Sequence, residues 1–130
     1  RVICGEQQPE SDHFMEMLNS NTGSDEDLHW REARDNGWFS YLMKTQTDTV
    51  AQIRIVYKGL PSRDATVWVN DVKVGTLTSV VSNELSISEF ALPQALQGEK
   101  QLRVKIGTAT SKGTVRIYEV RLVKNAEPTK

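Results

Sequence analysis

The chain has 130 residues, with 16 Lys plus Arg against 17 Asp plus Glu and a formal net charge of −1. That is enough chain for one domain with a real core, and it offers no basic field for nucleic acid and no polybasic block for anionic lipid. No apolar run approaches the roughly 20 residues needed to cross a bilayer. The opening at Arg1, soon followed by polar residues, shows no signal-peptide pattern and suggests a fragment of something longer.

In chain order, Cys4 among Val2, Ile3 and Gly5 reads as a small buried hydrophobe in a first strand. As the chain's single cysteine it leaves no internal disulfide and no thiolate zinc cluster. From Gly5 to Asn36 the sequence is polar and loop-rich, with Glu6, Glu10, Asp12, Glu16, Asp25, Glu26 and Asp27, and function tends to sit in such segments. Inside it "HFMEML" reads as a strand, soon stopped by Asn19, Asn21 and Gly23. Gly37 then frees a turn. After it Trp38, Ser40 and Leu42 alternate with Phe39, Tyr41 and Met43. A strand apolar on both faces belongs inside a sandwich, which predicts Phe39 and Tyr41 in the core and leaves Trp38 more open at the strand's start.

"QIRIVYKG" alternates Ile53, Ile55 and Tyr57 against Arg54, Val56 and Lys58, so Tyr57 is predicted in the core. "ATVWVNDVKVGTL" is a hairpin turned at Asn70-Asp71, because Asn and Asp tolerate positive φ. Trp68 falls on the face opposite Val67 and Val69, either covered by a loop or exposed as a platform. "ELSISEFAL" fits a strand and "PQALQG" a single helical turn. "QLRVKIG" alternates Leu102, Val104 and Ile106 against Arg103 and Lys105. A turn at Ser111, Lys112 and Gly113 leads into "TVRIYEVRLV", which puts Tyr118, Val120 and Leu122 on one face. "NAEPTK" after Lys124 reads as a flexible tail, dividing the chain into a domain over 1–124 and a tail over 125–130. About eight short strands with turns at this spacing predict an all-β protein, a two-sheet antiparallel β-sandwich.

Catalytic signals are missing from this pattern. Glycoside hydrolysis needs two carboxyls flanking the sugar, and no pair sits on adjacent strand ends with apolar neighbours to raise a pKa. There is no Gly-x-Ser-x-Gly elbow, phosphate loop or His-Glu-x-x-His. Ser11, Asp12 and His13 have the residue types of a triad, but neighbours on an extended chain point to opposite faces. Asp25, Glu26 and Asp27 suit a solvated loop better than calcium, because consecutive residues seldom converge on one ion. No catalytic set, metal site or cofactor is therefore expected. Binding is another matter. Sugar recognition uses an aromatic face against the C–H face of a ring, with charged or amide groups for the hydroxyls. Trp30, Arg31, His13, Glu6 and Trp38 could supply both, and form the candidate carbohydrate site. The structural alternative has Arg31 bonded to Glu6 or to backbone carbonyls, with Trp30 as the loop's own small core.

The stretches "GEQQPESDHF", "NSNTGSDEDLHWREARDNGWFSY" and "IYEVRLV" resemble the C-terminal β-sandwich module of bacterial glycoside hydrolase family 127, the β-L-arabinofuranosidase-like proteins. The resemblance spans Val2 to Lys124. The order of elements is also similar to galactose-binding-like jelly rolls. The resemblance implies a non-catalytic accessory module beside an α-helical barrel, whose zinc site uses several cysteines and a glutamate that a chain with only Cys4 cannot supply. It further implies a secreted parent enzyme, periplasmic or on the outer surface. The implied partners are glycan, bound weakly, and the parent's catalytic domain, with neither nucleic acid nor membrane. The module either recognises carbohydrate or supports the barrel. Galactose-binding-like modules often hold a structural calcium near the first strand; Glu6 with loop carbonyls is the nearest match, without a defined ligand pattern.

Overall fold

A computed structural model describes residues 1–45, 50–78, 84–109 and 111–124. The tail expected over 125–130 lies outside them. In chain order the elements are β1 (Val2–Ile3), α1 (Gln7–Asp12), β2 (Glu16–Asp25), β3 (Leu28–Lys44), β4 (Val50–Lys58), β5 (Ala65–Val69), β6 (Val72–Leu77), β7 (Ser86–Ala91), a 3-10 turn at Gln94–Leu96, β8 (Gln101–Gly107) and β9 (Arg116–Lys124). Every pairing is antiparallel. The order is β6-β5-β8-β3-β9-β4-β7, with β2 also on β3 and β1 also on β9. The fold is thus all-β, as the alternation predicts. Among the described residues no helix is long and apolar enough to cross a membrane.

The two layers of the sandwich share β3. Its second half, Trp38–Lys44, pairs with β8, while Arg31 in its first half meets Ile117 of β9. The change of layer happens at a bulge. Ser20 pairs with Ala33 and Leu18 with Trp38, so Arg34, Asp35, Asn36 and Gly37 together oppose the single residue Asn19. Asp35 and Asn36 take positive φ there, and strands turn sandwich corners at such bulges. A Cβ on Gly37 would lie 2.5 Å from the carbonyl oxygens of both Arg34 and Leu18, so only glycine fits.

This corrects the reading of the first third. The turn expected at Gly37 is a bulge within one long strand. The loop-rich region is a hairpin of β2 and β3, tightened at Glu26 and Asp27, with Asp25 paired to Leu28 and Glu26 at φ +53°. The strand expected over "HFMEML" starts only at Glu16, because His13 ends α1 and Phe14 turns the chain at φ +49°. The helix α1 is absent from the alternation pattern; one short turn of chain carries too little periodicity to register.

Elsewhere period-2 alternation holds. Phe39, Tyr41 and Met43 of β3, Leu102, Val104 and Ile106 of β8, and Val67 and Val69 of β5 pack on Ile53, Ile55 and Tyr57 of β4 and on Ile117 and Val120 of β9. Phe39 and Tyr41 meet edge to face with centroids 5.9 Å apart. Burying each such side chain contributes about 1.5–3 kcal/mol. Asn70 and Asp71 have φ +48° and +67° between paired Val69 and Val72, the two-residue turn expected. β9 departs from expectation. Tyr57 pairs with Ile117 but Val56 with Glu119, so Tyr118 is an extra residue. The bulge turns Ile117 and Val120 both inward and sends Tyr118 outward, where its hydroxyl donates to Asp25 at 2.7 Å. The face predicted to hold Tyr118 with Val120 is therefore split.

Candidate functional site

The five residues expected to form one carbohydrate site do not come together. Trp30 is only 8 % exposed, with the Arg116 guanidinium 4.3 Å from its ring centroid. Its indole N–H is buried without a partner. Arg31, 6 % exposed, points into the interior, where Nε and Nη2 donate to the Glu10 carboxylate at 2.7 and 2.9 Å and Nη1 donates to Ser20 Oγ at 2.8 Å. Tyr41 donates its hydroxyl to the same carboxylate. The candidacy of Trp30 and Arg31 as sugar contacts is thus corrected in favour of the structural alternative: neither offers a free face. The partner of Arg31 is Glu10 rather than Glu6, because α1 folds back over the sheet and buries Glu10 to 4 % exposure. Burial alone would raise the Glu10 carboxyl, but Arg31, Tyr41 and the Gly5 amide outweigh it and hold it below the usual carboxylate range. Cys4, against the same cluster, is fully buried, and burial pushes its thiol up to about 12. This set is a brace between helix and sheet.

His13 caps the end of α1, its Nδ1 2.7 Å from the Pro9 carbonyl. Glu6 stands at the start of α1 and lines a separate cavity of about 170 Å³ with Tyr118 and His29. Asp12 accepts from Gln8 at 2.8 Å, so the side chains of Asp12 and His13 are both used locally within α1. Asp25 is not a free loop carboxylate. The Tyr118 hydroxyl, then Lys58 and Arg116, hold it below its ordinary pKa. Cationic neighbours of that kind do not suit calcium. Among the described residues no group of three or more His, Cys, Asp or Glu could hold a metal.

Trp38 alone of the five lies on an open sheet face, and it has company that the local sequence did not disclose. The outward residues of neighbouring strands line up by register. Leu18, Trp38, Gly107 and Thr66 make one row, and Glu16, Ser40, Lys105, Trp68 and Lys73 the next. Lys105 Nζ sits 4.9 Å from the Trp38 ring centroid and 5.2 Å from that of Trp68. Gly107 makes room, since a Cβ there would lie 2.9 Å from Trp38 Cβ. Beside Trp38 is a cavity of about 420 Å³, lined also by Glu16, Ser40, Asn70, Asp71, Arg103 and Lys105. A neighbouring cavity of about 590 Å³ shares Glu16 and Arg103 with it and runs on past Leu42 and Lys44 to Phe14, which is 60 % exposed.

Arg103 is the post between the two cavities. Its Nη1 donates to Ser40 Oγ at 3.0 Å and to the Phe14 carbonyl at 3.3 Å, and lies 3.1 Å from Glu16 Oε1. Asn70, at the hairpin tip, is tied to β8 by its side-chain oxygen, which accepts from Arg103 N at 2.8 Å. The face therefore combines two indoles, ordered donors and acceptors, and a rigid sheet beneath. Such a surface can stack sugar rings and hydrogen-bond hydroxyls. Alternation places Trp38, Trp68, Arg103 and Lys105 outward one strand at a time. Only the strand order β5-β8-β3 makes them neighbours.

A family model described as a family of unknown function (DUF6805) matches residues 1–123. No curated protein matches the chain. Among solved structures it is similar to a family 35 carbohydrate binding module from Clostridium thermocellum, with TM-score 0.66 and 8% identity over 85% of this chain and 92% of that one. It is similar to a variant family 29 carbohydrate binding module complexed with mannohexaose, with TM-score 0.60 and 8% identity over 92% and 86%. It is also similar to an exo-beta-1,3-galactanase from Phanerochaete chrysosporium with beta-1,3-galactotriose, with TM-score 0.59 and 11% identity, where 84% of this chain covers 27% of the enzyme. At these identities the likeness is one of fold.

Proposed function

The chain belongs to the DUF6805 family, whose function is unknown, and on that premise we propose its role from its own surface: a non-catalytic module that binds glycan on the outer face of β3, β8 and β5. The observation that carries this reading is the pair of indoles, Trp38 and Trp68, set around Lys105 on one open sheet face. Each ring can take the C–H face of a sugar, while Glu16, Asn70 and Asp71 answer hydroxyls. The shared fold with carbohydrate binding modules of families 35 and 29 supports it. A solvent-facing site of this kind binds with a dissociation constant on the order of 0.1–10 mM. In finer terms the module is an accessory of a secreted, periplasmic or extracellular glycoside hydrolase, in keeping with the resemblance to family 127. The galactanase of which it matches about a quarter supports that arrangement.

The test is affinity electrophoresis through gels carrying arabinan, galactan, mannan or xylan, with melting curves alongside. Trp38→Ala and Trp68→Ala should lose retardation and keep their melting temperatures. Retardation of both variants at the wild-type level would overturn this site.

A specific observation favours a second reading, a structural module docked on the parent's catalytic domain. The opposite layer exposes Leu28, Leu85 and Ile87, the last at 63 %, around Ile3, Val56 and Tyr118. Under that reading Ile87→Asp, and not Trp68→Ala, would release the module from its parent.

A further inference from the structure

The charges on the tryptophan face point to what kind of sugar it selects. This inference rests on the glycan-binding reading and deepens it. By register and cavity lining, Lys44, Lys73, Arg103 and Lys105 stand on this face against Glu16 and Asp71. Four cations oppose two carboxylates, in a chain whose net charge is −1. The surplus is local, and it is positive where the aromatic rings are.

The four cations are not equivalent. Arg103 is spent within the protein, on Glu16, Ser40 and the Phe14 carbonyl. Lys44 and Lys73 are exposed side chains toward the margins of the face. Lys105 is central and differently held. Among the described residues no carboxylate pairs with it, and its ammonium lies against two indole rings. The rings' negative faces attract the ammonium and limit its sweep, yet they supply no strong acceptor for its donors. An ammonium positioned in this way, with a stacking surface on either side, lacks an anion rather than a hydroxyl. The strands from β2 to β5 are four, so the face is roughly 14 Å across at about 4.8 Å per strand spacing, longer than one sugar ring.

We propose that the ligand is an acidic glycan, a polymer containing uronic acid residues, with a uronate carboxylate paired to Lys105 Nζ while neighbouring rings stack on Trp38 and Trp68. Ring stacking gives affinity for many sugars. The carboxylate contact gives the preference, because a charged hydrogen bond is stronger than a hydroxyl contact and weakens with salt.

The experiment compares polygalacturonate and glucuronoxylan with their carboxyl-reduced forms, using the wild-type chain, Lys105→Gln and Trp68→Ala. Dextran sulfate is included as a sulfate-ester control. Wild type should bind at least one uronate polymer, and roughly ten- to a hundredfold less tightly after carboxyl reduction. Lys105→Gln should lose the same factor on the native polymer and none on the reduced one, with an unchanged melting curve. Trp68→Ala should lose both. Equal binding of native and reduced polymer, or an unaffected Lys105→Gln, overturns the charge assignment and leaves the glycan reading standing. Binding of dextran sulfate with no uronate polymer bound overturns it in favour of sulfated sugars. Failure of every polymer, acidic or neutral, overturns both readings. The carboxyl-reduction arm uses unmutated protein, so a misfolded variant cannot rescue the idea.

Discussion

Deleting the Glu10 carboxylate is the sharpest test of the interior. Arg31 and Glu10 are each more than nine-tenths buried, and their two-point contact at 2.7 and 2.9 Å is joined by the Tyr41 hydroxyl. In Glu10→Ala the guanidinium remains in place with Nε and Nη2 unanswered, and Tyr41 loses its acceptor. Removing one partner of a buried pair costs about 3–5 kcal/mol, because a charge is left stranded out of water. At roughly 3–5 °C per kcal/mol for a chain of this size, the melting temperature should fall by about 10–20 °C. The double variant Glu10→Ala with Arg31→Met should recover part of that loss, since no charge is then stranded. Acid gives an independent handle. The Glu10 carboxyl titrates lower in the fold than its usual value of 4.5. A carboxyl lowered by folding stabilises above its unfolded pKa and loses that contribution as pH falls through the folded one. Wild type should therefore lose stability below about pH 4.5 more steeply than Glu10→Gln does. Circular dichroism melts from pH 3 to 7 read both effects. A loss under about 1 kcal/mol in Glu10→Ala, or single effects that simply add, would refute the brace.

Trp30→Ala should cost about 3 kcal/mol or more in chemical denaturation and leave glycan retardation intact, since the ring is interior and its Arg116 cover would lose its seat. The Cys4 thiol, fully buried and raised to about 12, should resist an aromatic disulfide reagent at pH 8 and react only at the rate of unfolding; fast labelling of native protein would contradict the burial. Gly107→Ala should destabilise by about 1–3 kcal/mol through overpacking against Trp38 and the Gly37 carbonyl, and should weaken glycan binding as well, because Trp38 is the group displaced.

How far the fold was legible follows from what each segment encodes. β4 from Ile53 on, β5 and β8 alternate, and one face of each is buried, so period 2 suffices to orient them. Asn70-Asp71 marks its turn because few other pairs accept two positive φ values in succession. The failures have local causes. Arg34, Asp35, Asn36 and Gly37 have turn composition, and Asp35 and Asn36 do take positive φ, but within a bulge that carries one strand from layer to layer. At Tyr118 a single extra residue shifts the phase, and alternation extrapolated through it assigns the wrong face. The helix α1 is six residues long, short of two turns. Its one decisive residue, Glu10, looks in sequence like any of the acids around it.

The site was legible by halves for the same reason. Alternation turns Trp68 away from Val67 and Val69, and Arg103 and Lys105 away from the aliphatics of β8; each assignment is local and each holds. That Lys105 lies between two tryptophans is not local, because Trp38, Trp68 and Lys105 come from strands far apart in the chain that become neighbours only in the order β3-β8-β5. Sequence proximity made the opposite suggestion. Trp30 and Arg31 stand close to Trp38 in the chain and share its strand, yet the bulge at Arg34–Gly37 sends the two halves of β3 to different layers. A cluster inferred from closeness along β3 therefore breaks at the bulge. Its first half, with Glu10 and Tyr41, ties the helix to the core, and its second half carries the open aromatic surface. The proposed glycan-binding face depends on the corner, since the second half of β3 is the part that brings Trp38 beside β8, and with it Lys105 and Trp68.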